Sequence, residues 1–179
     1  MSEQLPLHPW IHDLSDLPEG KGTFYHYGPN YTVDPIVITE ETIPSLLLVQ
    51  RHDTGEWALP GGFIDSDETA TAAGRRELCE ETGLTLPESL EPIVVYRGPV
   101  ADHRSTRNAW PETTALLWRI AQAESITAGD DADKARWVPI DQLPTNLHGS
   151  HSALAEKAIA LITHFGDVAS SSQGTVHQQ

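Results

Sequence analysis

Glu77, Glu80 and Glu81 stand close together in the segment Thr69–Thr82, whose alanines, glutamates and arginines favour helix and which stops at Gly83, a residue suited to a C-cap. At about 100° per residue, Glu80 lies roughly 60° to one side of Glu77 and Glu81 roughly 40° to the other. Carboxylates this close raise one another's pKa and destabilise the helix unless a hard divalent cation or an arginine neutralises them. Arg76 reaches Glu80 at i, i+4 spacing and supplies one partner. The remaining oxygens form a ligand set suited to Mg²⁺. An isolated glutamate pair would ordinarily be a solvated helix face, so the surrounding residues decide the matter.

Ala70 and Ala73 fall on the carboxylate face and are small, which predicts room for a ligand above the ions. Ala72, Leu78 and Cys79 fall on another side and are expected to bury the helix against a sheet. Gly74 inside the helix costs about 1 kcal/mol relative to alanine, so packing and metal must do much of the stabilising. Ahead of the helix, Leu59-Pro60-Gly61-Gly62 is a tight turn able to bring backbone close to a metal or a phosphate.

The run from Gly62 through Glu68, Arg76, Glu77, Leu78, Glu80, Glu81 and Gly83 to Leu84 resembles the signature of the Nudix hydrolases, Gly-x5-Glu-x7-Arg-Glu-U-x-Glu-Glu-x-Gly-U with U aliphatic, at every fixed position. Seven fixed residues at roughly one in fifteen each make a chance match of order 10⁻⁶ over the chain. The resemblance implies an α/β fold, a Nudix-type α/β/α sandwich with a central mixed sheet. It implies hydrolysis of a nucleoside diphosphate linked to another group. By the same match Glu77, Glu80 and Glu81, with Gly62, would hold the catalytic Mg²⁺, for which Mn²⁺ can substitute, while Arg76 and Glu68 brace loop and helix. The chemistry agrees: attack of water on a diphosphate needs oxygen charge neutralised and the water acidified, and Mg²⁺ does both. Glu81, Glu112, Asp130 and Asp131 are candidates for the base that takes the water's proton, and the helix face alone does not rank them.

Further stretches are similar to one branch, the mitochondrial-type ADP-ribose pyrophosphatases and the related ADP-ribose-sensing domain of a melastatin-family channel. They are Gly28-Pro29-Asn30 with Asp34-Pro35-Ile36-Val37, Gly55 to Gly62, Asn108-Ala109-Trp110 with Glu112-Thr113, Ala128 to Ala132, Trp137-Val138 and Ser150-His151-Ser152. In that branch the stretch before Asn108 and the histidine opening the last helix grip the ligand, which points to Asp102, Arg104 and His151. Arg51, Asn108, Trp110 and Glu112 complete the substrate-binding candidates. Arg104 offers a planar donor fork for phosphate or ribose oxygens. Trp57 and Trp110 are candidates to stack on adenine, though a tryptophan in a short domain is more often core. His103 and His148 depart from the branch, which tends to have proline and tyrosine there. The leading activity implied is Mg²⁺-dependent cleavage of ADP-ribose to AMP and ribose 5-phosphate. The alternatives are a Nudix hydrolase of a nucleotide sugar, dinucleotide or oxidised nucleotide, and a non-catalytic ADP-ribose-binding module.

The elements that must position these residues are short apolar or β-branched runs at Pro35–Thr39, Ser45–Arg51, Ile93–Tyr96, Thr113–Ile120 and Arg136–Ile140, read as strands. His151–Phe165 has apolar residues at helical spacing, with Ser150 or Ser152 as N-cap and Gly166 after its end. Strands and helices in this order imply a sheet between helices. Residues 1–27 read as an extended arm anchored by Trp10 and Phe24, residues 28–166 as one catalytic domain, and residues 167–179 as a polar, mobile tail.

Length and composition agree with one domain: 179 residues, 39% hydrophobic and 21% charged. A net charge of −15 disfavours nucleic acid and anionic membrane surfaces as partners. It also makes a cation necessary before an anionic substrate can enter. The single cysteine, Cys79, fits a reducing compartment, and the absence of a secretory start or a long apolar stretch predicts a soluble cytoplasmic protein. Monomer and homodimer are both compatible with these residues.

Overall fold

The computed structural model describes residues 5–9, 15–129 and 132–171. Among the described residues seven strands, β1 (Gly28–Thr39), β2 (Ser45–Arg51), β3 (Trp57–Ala58), β4 (Gly62–Phe63), β5 (Ile93–Pro99), β6 (Ala109–Ile120) and β7 (Ala132–Pro139), form one sheet. Helix α1 (Ala70–Thr82) follows β4, and α2 (His151–Ser171) follows β7 after a short 3₁₀ turn, Ile140–Gln142. The sheet runs β3-β2-β1-β6-β5, with β4 also paired to β1 and β7 to β2. β1 and β6 are parallel along their whole length, from Gly28 opposite Ala109 to Thr39 opposite Ile120, and every other pairing is antiparallel. The sheet is therefore mixed, as the Nudix resemblance implies.

From Val33 to Thr39 almost every residue of β1 is buried, the pattern of a strand covered on both faces. Ile36, Ile38, Leu46, Leu48 and Leu117 pack one face against Leu154, Ala155 and Ala158 of α2. Val33, Val37, Leu47, Leu116 and Trp118 pack the other against Ala73 and Leu78 of α1, with Leu84 and Leu86 beyond it. Truncating a fully buried leucine such as Leu78 to alanine costs about 2–5 kcal/mol.

Helix α1 has the expected ends. Thr69 Oγ1 accepts a hydrogen bond from the Ala72 amide at 3.1 Å, and Gly83 caps the C-terminus at φ 67° with its N–H on the Cys79 carbonyl. Its rotation differs from the sequence expectation. The buried residues are Ala73, Gly74, Leu78 and Thr82, while Ala72 and Cys79 are exposed. Gly74 lies against the Trp118 ring, so the helix seats itself where it has no side chain. Ala73 consequently belongs to the core, and Ala70 packs against that core, rather than leaving room above the carboxylates.

β1 begins seven residues before the expected Pro35, because its register with β6 extends to Gly28. Pro35 falls between the β1 residues paired with β4, Thr32 and Val33, and the one paired with β2, Ile38, where a missing N–H costs least. α2 continues through Gly166 to Ser171, since glycine tolerates helical dihedrals at about 1 kcal/mol and does not by itself end a helix. Of the two expected anchors of the arm, Phe24 is buried, and Trp10 lies outside the described residues. Among the described residues no helix is long and apolar enough to cross a membrane.

Candidate active site

The turn that joins β3 to β4 lies directly against the carboxylate face of α1. Gly61 has φ 156°, and a Cβ there would run into the Val33 carbonyl, so only glycine fits. A Cβ on Gly62 would collide with the Glu77 carboxylate. With both side chains absent, the Gly61 amide donates to Glu81 Oε2 at 3.0 Å.

Arg76 ties the loop to the helix. Its Nε and Nη2 donate to the two oxygens of Glu68, both at 2.9 Å, and Nη2 also donates to the Phe63 carbonyl at 3.0 Å. Its Nη1 donates to Glu77 Oε1 at 2.7 Å and to Glu80 Oε2 at 3.1 Å. Glu68, with its remaining oxygen capacity, accepts the Asp65 amide at 3.3 Å. The i, i+4 contact to Glu80 is legible from spacing, whereas the bidentate grip on Glu68 depends on the loop returning. Glu77 is only 12% exposed at its side chain against 58% for Glu80. Burial therefore pushes the Glu77 pKa up despite Arg76, while the Arg76 fork holds Glu68 below the usual carboxylate range. The Arg76 guanidinium, held chiefly by Glu68, is a permanent cation.

These groups line one side of a cavity of about 1080 Å³. Glu77, Glu80, Glu81, Gly61 and Gly62 face Arg51, Asp102, Arg104, His148 and His151 across it. Arg104 grips Asp102 with Nη2 at 2.6 Å and lies over the Phe24 ring, its Cζ 5.5 Å from the centroid. Burial raises the Asp102 pKa, but hydrogen bonds from the Arg104 side chain and amide outweigh it and hold the carboxyl low. Arg51 likewise forks onto Asp53 at 2.9 and 2.7 Å and draws its pKa down to about 2. Both arginines are thus preorganised as planar donors, each already facing one carboxylate.

His148 Nδ1 pairs with Glu56 Oε2 at 2.6 Å, and its ring meets His151 edge-on with centroids 5.9 Å apart. His151 Nδ1 accepts the Leu59 amide at 2.9 Å, and burial keeps its pKa low. Asp34 also lines the cavity, with its carboxylate oxygen 3.5 Å from His151 Nε2.

The sequence candidates divide. Arg51, Asp102, Arg104 and His151 line the same cavity as Gly62, Glu77, Glu80 and Glu81. Asn108, Trp110 and Glu112 are not part of its lining. Asn108 is buried and fastens the N-terminal arm, accepting the Gly20 amide at 3.0 Å and donating to the Pro6 carbonyl at 2.9 Å. Trp110 is 5% exposed, packs against His8 at 5.3 Å and donates to Glu112 Oε1 at 3.0 Å, a core tryptophan rather than an open stacking platform. Trp57 is half-buried beneath the Arg136 guanidinium, 4.9 Å from its ring centroid. Glu112 faces a second hollow beside Tyr25 and Tyr31. Of the base candidates, Glu81 lines the main cavity, and Asp130 and Asp131 lie outside the described residues.

The model of the NUDIX domain matches residues 30–159, a span that holds the signature and every cavity residue from Thr32 to His151. The chain belongs to the NUDIX family. Among relatives of this NUDIX chain, a Caenorhabditis elegans protein assigned as nudix hydrolase 6 is 38% identical over 146 residues, covering 74% of this chain and 56% of that protein. The mitochondrial ADP-ribose pyrophosphatase of Rattus norvegicus is 34% identical over 170 residues, covering 74% of this chain and 48% of the enzyme. The chain therefore matches only about half the length of these two relatives. Among solved structures, the NUDIX domain of Shewanella oneidensis NrtR complexed with ADP ribose superposes with a TM-score of 0.63 at 27% identity, covering 75% of this chain and 89% of that one.

Two features of the NUDIX site escape sequence reading. Asp34 falls in a stretch similar to the branch but is given no role there, and nothing local indicates that β1 turns it into the cavity. His148 stands out as a departure from the branch, but its pairing with Glu56 requires the loop before β3 to meet the start of α2.

Proposed function

We propose that this NUDIX chain is a hydrolase that cleaves the diphosphate of ADP-ribose, giving AMP and ribose 5-phosphate, with Mg²⁺ as cofactor. The observation that carries the reading is that the signature carboxylates Glu77, Glu80 and Glu81 share one cavity with Arg51, Asp102, Arg104 and His151. An acidic helix face thus meets, across one space, two arginine forks that donate to phosphate oxygens and a carboxylate, Asp102, that accepts from a ribose hydroxyl. The likeness to a mitochondrial ADP-ribose pyrophosphatase and to an ADP-ribose-bound NUDIX domain supports that substrate.

Among the described residues no three carboxylate, imidazole or thiolate side chains are gathered tightly enough to enclose an ion in this arrangement. The chemistry of the donors nevertheless fits a hard divalent cation: all are oxygens, and the absent side chain of Gly62 lets the Glu77 carboxylate lie directly against its backbone. Glu77, Glu80, Glu81 and the Gly62 backbone would hold the ion, which neutralises diphosphate charge and acidifies the attacking water. Arg76 and Glu68 keep the helix face and the loop in register. Arg104 and Arg51 orient anionic oxygens, and Asp102 accepts from a ribose hydroxyl. Water attacks one phosphorus, the bridging P–O bond breaks, and the proton passes to a carboxylate of the cavity, with Glu81 the candidate that lines it. The exposed single cysteine suits work in the cytoplasm, where thiols stay reduced.

The test is a product assay on purified protein with Mg²⁺, offering ADP-ribose, NADH, diadenosine polyphosphates, nucleotide sugars and 8-oxo-dGTP at equal concentration. Preferred turnover of ADP-ribose with release of AMP is the expected result. Preference for another compound overturns the substrate, and binding of ADP-ribose without cleavage overturns the hydrolase reading.

A further inference from the structure

Asp34 and His151 join three parts of the site that the signature does not contain. Asp34 is 8% exposed on β1, and its Oδ2 accepts the Thr113 hydroxyl of β6 at 2.5 Å. Its Oδ1 faces His151 Nε2 at 3.5 Å. At the start of α2, His151 Nδ1 accepts the Leu59 amide. An imidazole nitrogen that accepts an N–H has committed its lone pair, so the proton of the neutral ring sits on Nε2, towards Asp34. A carboxylate behind an imidazole fixes both tautomer and ring orientation.

The Leu59 amide matters because of its place two residues ahead of Gly61. Leu59 is 2% exposed, so its N–H must find a partner within the protein. Only Pro60, whose ring fixes φ, separates it from Gly61. The Gly61 amide in turn donates to Glu81 Oε2. Gly61 is confined on its other side by the Val33 carbonyl and by Asp34 itself. Orientation imposed on the Leu59 peptide is therefore passed through one rigid residue to the donor that holds Glu81.

We propose that Asp34 and His151 are positioning residues for Glu81, holding the Leu59 amide so that the Gly61 amide stays aimed at the carboxylate. This rests on the hydrolase reading, in which Glu81 is one of the working carboxylates. It assigns His151 a different part from the ligand grip that the family resemblance implies.

Two readouts on the full chain test it. The first needs neither metal nor substrate: amide hydrogen exchange at Leu59 and Gly61, at pH 7.5. His151→Ala should speed exchange at both by about tenfold or more, as expected when a local hydrogen bond is lost. His151→Asn, whose side-chain oxygen offers Leu59 an acceptor, should keep both slow. Asp34→Asn should speed both and serves as the deciding variant should His151→Ala fail to fold. Unchanged exchange in His151→Ala, or in Asp34→Asn in its place, overturns the proposal.

The second readout is kinetic. His151→Ala should lower kcat for ADP-ribose by about 10–100-fold with KM little changed, and His151→Asn should restore most of it. A raised KM with kcat retained in both variants overturns the proposal and makes His151 a ligand contact. Should the wild-type chain turn over no ADP-ribose, the hydrolase reading fails, while the exchange measurement still decides whether Asp34 and His151 hold the turn.

Discussion

Arg76 grips Glu68 through two parallel hydrogen bonds of equal length, closing the loop that enters α1 onto the helix's own second turn. The same guanidinium neutralises Glu77, so one side chain both shapes the loop and stabilises a largely buried carboxylate of the site. Arg76→Lys should be far from conservative, because an ammonium cannot make the bidentate fork and reach Glu77 as well. The expected loss is about 1–3 kcal/mol, a fall of several degrees in Tm, with activity lost in parallel. Thermal unfolding of the two proteins without metal checks it; equal Tm values would refute the bracing role.

Glu80→Gln and Glu81→Gln each remove charge from a crowded acidic face. Turnover should fall by about a hundredfold or more, since an ion at that face supplies several kcal/mol of charge stabilisation. The Tm of the metal-free proteins should hold or rise, as like-charge repulsion is relieved. Steady-state kinetics with ADP-ribose, paired with thermal melts, separates these effects. Full activity in both variants would remove these carboxylates from the site.

Mg²⁺ should raise the Tm by occupying the same face. An ion present at 100 times its Kd stabilises the folded state by about 2.7 kcal/mol. A melting series through the millimolar range should climb and then grow only logarithmically, and Glu80→Gln should flatten it. A wild-type Tm independent of Mg²⁺ would contradict a folded-state site.

Stability should weaken on mild acidification. His8 and His151 both have pKa values lowered from 6.5, in each case by burial. The unfolded chain therefore binds more protons, and their contribution is complete above about pH 6.5 and is lost as pH falls from there through the lowered values. The slope approaches about 1.4 kcal/mol per pH unit for each histidine that differs fully in protonation. Glu77, whose pKa is raised by burial, acts in the opposite sense, stabilising most at low pH. Urea unfolding at pH 7.5 and 5.5, on wild type and on His151→Asn, isolates the histidine contribution: the variant should lose less stability between the two.

Gly74→Ala should destabilise although alanine is the better helix former. The new methyl would stand 2.9 Å from Trp118 Cη2 and 3.4 Å from Val33 Cγ2, and the Trp118 ring is fully buried with no space to retreat. The expected cost of about 1–3 kcal/mol from overpacking exceeds the gain in propensity. A Tm above wild type would show that the ring can move.

How much of this is legible in the sequence varies with the range of the forces involved. The limits of α1 can be read because Thr69 and Gly83 act on their immediate neighbours. Its rotation cannot, because Gly74 meeting Trp118 joins residues far apart in the chain. The two-residue strands β3 and β4 carry no periodicity and exist only because β2 and β1 offer them an edge. In the site, the signature marks the acidic face by spacing alone. Asn108 and Trp110 resemble ligand residues by position, yet Asn108 holds Pro6 and Gly20, and Trp110 packs on His8. A short motif records type and order but not which way a strand residue points.

The parallel pairing of β1 with β6 brings Gly28 beside Ala109 and Thr39 beside Ile120. The glycine turn, the loop held by Arg76 and all of α1 belong to the stretch of chain that these two strands enclose. Such a pairing has high contact order: its closure entropy must be met before its contacts reward it, which slows assembly. Local helix can flicker earlier, but Val33 and Trp118, the surfaces on which α1 seats, come from the two strands that must find each other. Catalytic competence should therefore arise late in folding, together with sheet closure, leaving no half-folded intermediate able to turn over substrate.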